Sequence, residues 1–198
     1  MVGKYVIFAV PNIHKMIVAS QKRKENIAEY LLYMWQIEDI IRANGLDLER
    51  IEHNVIDKYS LPGAQHKEMV EWYESLIDMM RRECVAEKGH LQININVLMA
   101  LVQLHQALLK DPHFPDYTAE FYRTLPFIVE LRAKAGASKS GEIETCFTAL
   151  YGMLMLRLQG KEVSPDTLNA IKQISKFIAM LSHYFKLDSE DNLFKNDE

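Results

Sequence analysis

The sequence predicts an all-α fold, a single-domain bundle of about seven helices with no significant sheet. Three observations carry that reading. Apolar residues recur at three-four spacing through most of the chain. Proline and glycine fall at helix-length intervals: Gly45, Pro62-Gly63, Gly89, Pro112 and Pro115, Gly136 and Gly141, Gly160 and Pro165. Runs of alternating, β-branched residues are nearly absent. The punctuation places helices near 20–44, 47–59, 65–88, 91–110, 116–135, 140–159 and 165–187.

In the first helix Ile27, Leu31, Met34 and Ile41 form one apolar stripe, and Tyr30, Tyr33, Ile37 and Ile40 form the next. A helix apolar on most sides is expected inside a bundle. The same holds for the sixth helix, where Cys146 to Leu156 carries no charge and Gly152 is expected to admit a neighbouring backbone. The start of the fourth helix is ambiguous. Leu91 to Val97 alternates as a strand would, yet Leu98, Leu101, Leu104 and Leu108 continue at helical spacing, and the whole is read as helix. In the fifth, Pro126 either kinks one helix or separates two, and the two-helix reading is favoured. The seventh has Ser164 as cap, Pro165 at the first position and Asp166 at the positive end of the dipole. Its stripe runs Ile171, Ile174, Ile178, Leu181 and Phe185, with Phe177, Met180 and Tyr184 beside it. Two adjacent apolar rows suggest self-association. Residues 1–15 read as an extension, with Met16 as an alternative start, residues 16–187 as the helical domain, and 188–198 as a flexible polar tail.

Composition narrows the function classes. The chain has 198 residues, 48% of them apolar and 25% charged, with a formal net charge of -4, so it suits a folded domain rather than a nucleic-acid binder. The run Tyr5 to Val10 is too short for a secretory core, and no stretch approaches a membrane span. The 2 cysteines, Cys84 and Cys146, are far apart and read as buried, reduced thiols of a cytoplasmic protein.

Three blocks look familiar: Gln21 to Gln36, Tyr122 to Arg132 and Gly141 to Arg157. They resemble an uncharacterised bacterial family, a domain of unknown function, over about Met16 to Leu187. The resemblance implies a bacterial cytoplasmic protein and brings no activity, ligand or catalytic residue with it.

Catalytic and cofactor signals are weak. No nucleophile elbow, phosphate loop or His-Glu-x-x-His occurs. Only Glu87-Lys-Gly-His90 has a metal-ligand spacing, and Gly89 is expected to end its helix, so neither metal nor cofactor is expected. His105 shares an apolar row and reads as a buried neutral imidazole with a backbone or carboxylate partner. If Ser20 caps the first helix, Lys22-Arg23-Lys24 sits unfavourably at the positive end of its dipole. An earlier helix start, or pairing with Glu25 or Glu29, would relieve it. Glu38 interrupts an apolar stripe and must be paired, protonated or at the stripe's edge. Arg123 and Arg132, with Glu130 between them, are its expected partners, and Tyr30, Tyr33 and Trp35 would wall a site there.

The first functional expectation is therefore a non-catalytic cytoplasmic protein acting through self-association, as a dimer, or through another protein partner. The alternative is a small-molecule-binding bundle with a polar pocket between the first and fifth helices. Nucleic acid and membrane are not expected partners.

Overall fold

The computed structural model describes residue 19 and residues 22–134, 140–191 and 193–194. The expected extension, 1–15, lies outside these. Among the described residues every regular element is helical: α1 (Ile27–Ala43), α2 (Leu48–Ile51), α3 (Gly63–Arg82), α4 (Gln92–Lys110), α5 (Pro115–Lys134), α6 (Glu142–Leu158) and α7 (Pro165–Asp191). They fall into two compact units, one within residues 10–97 and the other from Leu98 onward, so the division lies within α4.

The first unit opens with a reset helix. Residues 22–25 are helical, but Asn26 is extended (φ -153, ψ 102) and its side chain accepts from the Ala28 and Glu29 amides, so α1 begins afresh at Ile27. The basic run thus precedes the capped end. Lys22 pairs with Glu29 at 2.6 Å, and the Arg23 guanidinium lies 5.8 Å from the Tyr30 ring centroid. Inside α1, Leu31 and Ile41 are fully buried, with Ile27, Met34, Trp35 and Ile37 nearly so. Gly45 and Leu46 then turn in the left-handed region (φ 70 and 57), and Asp47 caps α2 through the Arg50 amide.

The α2 helix widens into a π-helical turn at Glu52–Ile56, tightens to a 3-10 turn at Asp57–Tyr59, and stops at Ser60 with φ 48. After α3 the chain turns at Cys84 (φ 58) and Gly89 (φ 91) into α4. The run that alternates like a strand, Leu91 to Val97, is the start of this helix. Its period-two pattern holds because Asn94 is buried for its amide rather than exposed.

In the second unit α5 packs on α6 and α7, and α6 on α7. Tyr117, Phe121, Ile128, Phe147, Phe177 and Leu181 fill the space between them. Three expectations need correction. First, α5 is one helix with Pro126 inside it. Pro126 is exposed, so its ring points away from the core and the helix continues past it. Second, α6 is not enclosed on all sides: Gly152 is exposed, and a Cβ there would meet nothing within 4 Å. Third, the second row of α7 is largely consumed within its own unit. Phe177 is fully buried, and Tyr184 makes edge contacts with Phe114 and Tyr117. The cap is as expected, with the Thr167 amide donating to Ser164 Oγ at 3.3 Å. The helix itself runs on to Asp191, beyond the Leu187 end anticipated, and the ring of Phe194 lies 5.8 Å from that of Phe114.

Candidate functional site

Glu38 is the central polar residue of the first unit. Its carboxylate is wholly buried. Oε1 accepts from the Leu91 backbone N–H at 2.9 Å and from the Asn94 side-chain amide at 2.7 Å, and Oε2 lies 2.6 Å from His90 Nδ1. One turn later on α1, Arg42 donates through Nη2 to the carbonyls of Val85, at 3.2 Å, and Gly89, at 2.5 Å. The spacing of four puts both charges on one helix face, where they grip the turn entering α4 from two sides. Glu38 satisfies an amide that the start of α4 would otherwise leave bare, and it places negative charge at the positive end of that helix. Glu83, across the same turn, accepts from the Gln92 amide at 2.6 Å.

The geometry fixes the His90 ring. Trp35 stacks on it with centroids 4.2 Å apart and planes within 12°. With its Nδ1 proton directed at Glu38, the imidazole presents Nε2 as the basic nitrogen. That is the orientation a carboxylate imposes on a catalytic or metal-binding histidine. The same bonds serve equally to pin a loop.

Of the residues expected to form a site, Glu38 and Trp35 meet through His90. Tyr30 is buried beside them, its phenol pushed up by burial, against the lowering effect of Arg23. The Tyr33 hydroxyl has no hydrogen-bond partner among the described residues, and burial holds it firmly protonated. The expected pairing of Glu38 with an arginine is replaced by the three bonds above. Arg123 instead pairs with Glu120 at 2.9 Å, Arg132 with Glu142 at 3.2 Å and with Thr145, and Glu130 with Lys134 at 2.6 Å. Each arginine has an acid in its own unit, and a carboxylate accepting from an amide N–H, a carboxamide and an imidazole needs no further cation. His90 and Asn94 are the residues missed. Asn94 carried the only available signal, a carboxamide in an otherwise apolar row.

In the second unit Glu120 is a buried carboxylate. Burial pushes its pKa up, but hydrogen bonds from Lys176 (2.8 Å), Gln173 (2.8 Å) and Arg123 outweigh that and hold it below the usual carboxylate range. His105 is buried among Tyr117, Phe121 and Phe177, and burial lowers its pKa to about 4. Its partner is the Tyr117 hydroxyl at 2.7 Å, a phenol rather than the backbone or carboxylate group anticipated. Cys146 is buried and its thiol pushed up to about 12, which silences it as a nucleophile, whereas Cys84 is exposed, contrary to expectation. The first unit also carries an open depression of about 560 Å3 with polar walls, among them Asp47, Glu49, Glu74, Asp78 and Arg81.

These features define an all-helical protein whose buried carboxylates, Glu38 and Glu120, are held by hydrogen bonds from the chain itself. Residues 16–192 match the family described as Domain of unknown function (DUF4924), and the chain belongs to that family. No curated protein and no solved structure matches it. None of the described helices is long and apolar enough to cross a membrane.

Proposed function

We propose that this chain is a non-catalytic protein of the bacterial cytoplasm that works through self-association, as a homodimer. The observation that carries the reading is an exposed row on α5. Tyr122 is 62% exposed and Val129, two turns on, is 55% exposed, with Pro126 exposed between them. The spacing of four and then three puts all three on one face. Apolar side chains gathered on one exposed face favour a partner surface, and aromatic anchors such as Tyr are enriched in such contacts. Pro126 adds a polar element, because it supplies no N–H to the Tyr122 carbonyl and leaves that acceptor outside the helix's own bonding. The covered rows of α7 no longer support self-association, so the argument rests on α5. The small-ligand reading has less to stand on: Glu38, Arg123, Glu130 and Arg132 each find their partners within their own unit.

Light scattering coupled to size exclusion at tens of micromolar is the test. The expected mass is about twice that of the chain, since closed dimers are the commonest assembly. Val129→Glu should return it to the monomer mass without loss of helicity. A wild-type chain that runs as a monomer throughout would overturn the proposal.

A further inference from the structure

We propose that Glu52, Asp57 and His66 form a site for a divalent transition-metal ion of the zinc class. The π-helical turn is what brings the two carboxylates together. In an α-helix, residues five apart point roughly 140° away from each other. Here the Asp57 N–H donates to the Glu52 carbonyl, five residues back, which stacks Asp57 over Glu52 and aligns their side chains. Single wide turns of this kind recur at functional sites. Ser60 and Pro62 then reverse the chain, so that His66, in the first turn of α3, faces the pair.

The distances suit a bound ion. His66 Nε2 lies 3.0 Å from Asp57 Oδ1 and 3.7 Å from Glu52 Oε1, and all three donor atoms fall within 4.8 Å of one another. Donors on a tetrahedral zinc ion stand roughly 3.3–3.5 Å apart, given bonds of about 2.0–2.2 Å. The two His66 distances are within a few tenths of an ångström of that spacing. Water would complete the coordination of an ion held by these three donors. Two carboxylates with imidazole nitrogen make a borderline donor set, suited to zinc, manganese or nickel rather than to calcium.

The charge pattern separates this cluster from an ordinary acidic surface. Several exposed carboxylates elsewhere pair with a lysine or arginine, as Asp39 does with Arg42, Asp47 with Arg50 and Asp78 with Arg81, although Asp111 pairs with a histidine. Among the described residues, the ion-pair partners of Glu52 and Asp57 are only histidines. Two neighbouring carboxylates thus face imidazoles rather than a lysine or arginine among the described residues.

The test uses the full chain, without an affinity tag and stripped with chelator, titrated with zinc in a calorimeter and with cobalt(II) by visible absorption. One equivalent should bind with a micromolar Kd, and bound cobalt should show the intense bands of a four-coordinate ion. Glu52→Gln, Asp57→Asn and His66→Gln should each weaken binding by about tenfold or more. His113→Gln should not, although His113 also contacts an aspartate, Asp111, at 2.7 Å. A Kd above about 1 mM, or binding that survives Asp57→Asn together with His66→Gln, or binding abolished by His113→Gln, would overturn the assignment.

Discussion

At the scale of single residues the two units solve the same problem differently. Glu38 and Glu120 are both buried carboxylates, and neither is left with a bare charge. Glu120 is held by cations whose own ends stay in solvent, Arg123 and Lys176 being 65% and 64% exposed. Glu38 is held by an amide N–H, a carboxamide and an imidazole. Removing Glu38 would strand the Leu91 N–H and the Asn94 amide in the interior, with no other side-chain acceptor for the Leu91 N–H among the described residues. We expect Glu38→Ala to lower the unfolding free energy by about 3 kcal/mol, read from the denaturant midpoint. A loss below about 1 kcal/mol would mean that water replaces the carboxylate and that the clamp is dispensable. The sequence showed that Glu38 had to be paired, protonated or at the edge of its stripe, because a carboxylate stood among apolar residues. It could not show the partner. Arginines attract attention as counter-charges, while the actual partners lie past a turn whose path depends on Cys84 and Gly89 adopting positive φ.

At the scale of elements, existence was legible and irregularity was not. The proline and glycine punctuation located α1 to α7, because a stop signal is a local chemical fact. The Asn26 reset was hidden, since Lys22 to Glu29 has no proline or glycine to mark it, and an asparagine is neutral until its side chain finds the Ala28 and Glu29 amides. The π-helical turn was hidden for the same reason: one extra residue in a turn leaves the apolar pattern almost unchanged. Pro126 was visible but misjudged, because the helix tolerates it on its solvent side. That tolerance has a cost. The missing bond to Tyr122 is worth part of the roughly 3 kcal/mol that an interior proline forfeits. Pro126→Ala is therefore expected to raise stability by about 1–3 kcal/mol, measured by chemical denaturation of the monomer-forming Val129→Glu background, so that assembly does not contribute. No gain there would show that Pro126 costs this helix nothing in its folded setting.

At the scale of the whole molecule, the net charge of -4 is small and hides how unevenly the titrating groups are stressed. Three groups of the second unit have shifted pKa values that act in the same direction. His105 is held neutral by burial, at about 4 against an ordinary 6.5. Above pH 6.5 it is neutral in both folded and unfolded chains and contributes fully. As pH falls from 6.5 toward 4 the unfolded chain takes up the proton and the folded one does not, so stability is lost, by about 3 kcal/mol across that window. Glu142, lowered first by its own backbone amide at the start of α6 and then by Arg132, contributes above its ordinary 4.5 and loses that contribution as pH falls below it. Glu120 behaves alike. Stability of this unit should thus be flat near neutrality, decline from about pH 6.5, and decline more steeply below 4.5. Thermal or denaturant midpoints collected from pH 7.5 to 3.5 would trace the curve. His105→Gln keeps an acceptor for the Tyr117 hydroxyl while removing the titration, so its profile should stay level down to about pH 4.5 and then fall as the wild type does. Were the wild-type profile itself level between pH 6.5 and 4.5, the His105 ring would have to be reached by solvent, and the packing of α4 against Tyr117, Phe121 and Phe177 would be looser than the structure shows.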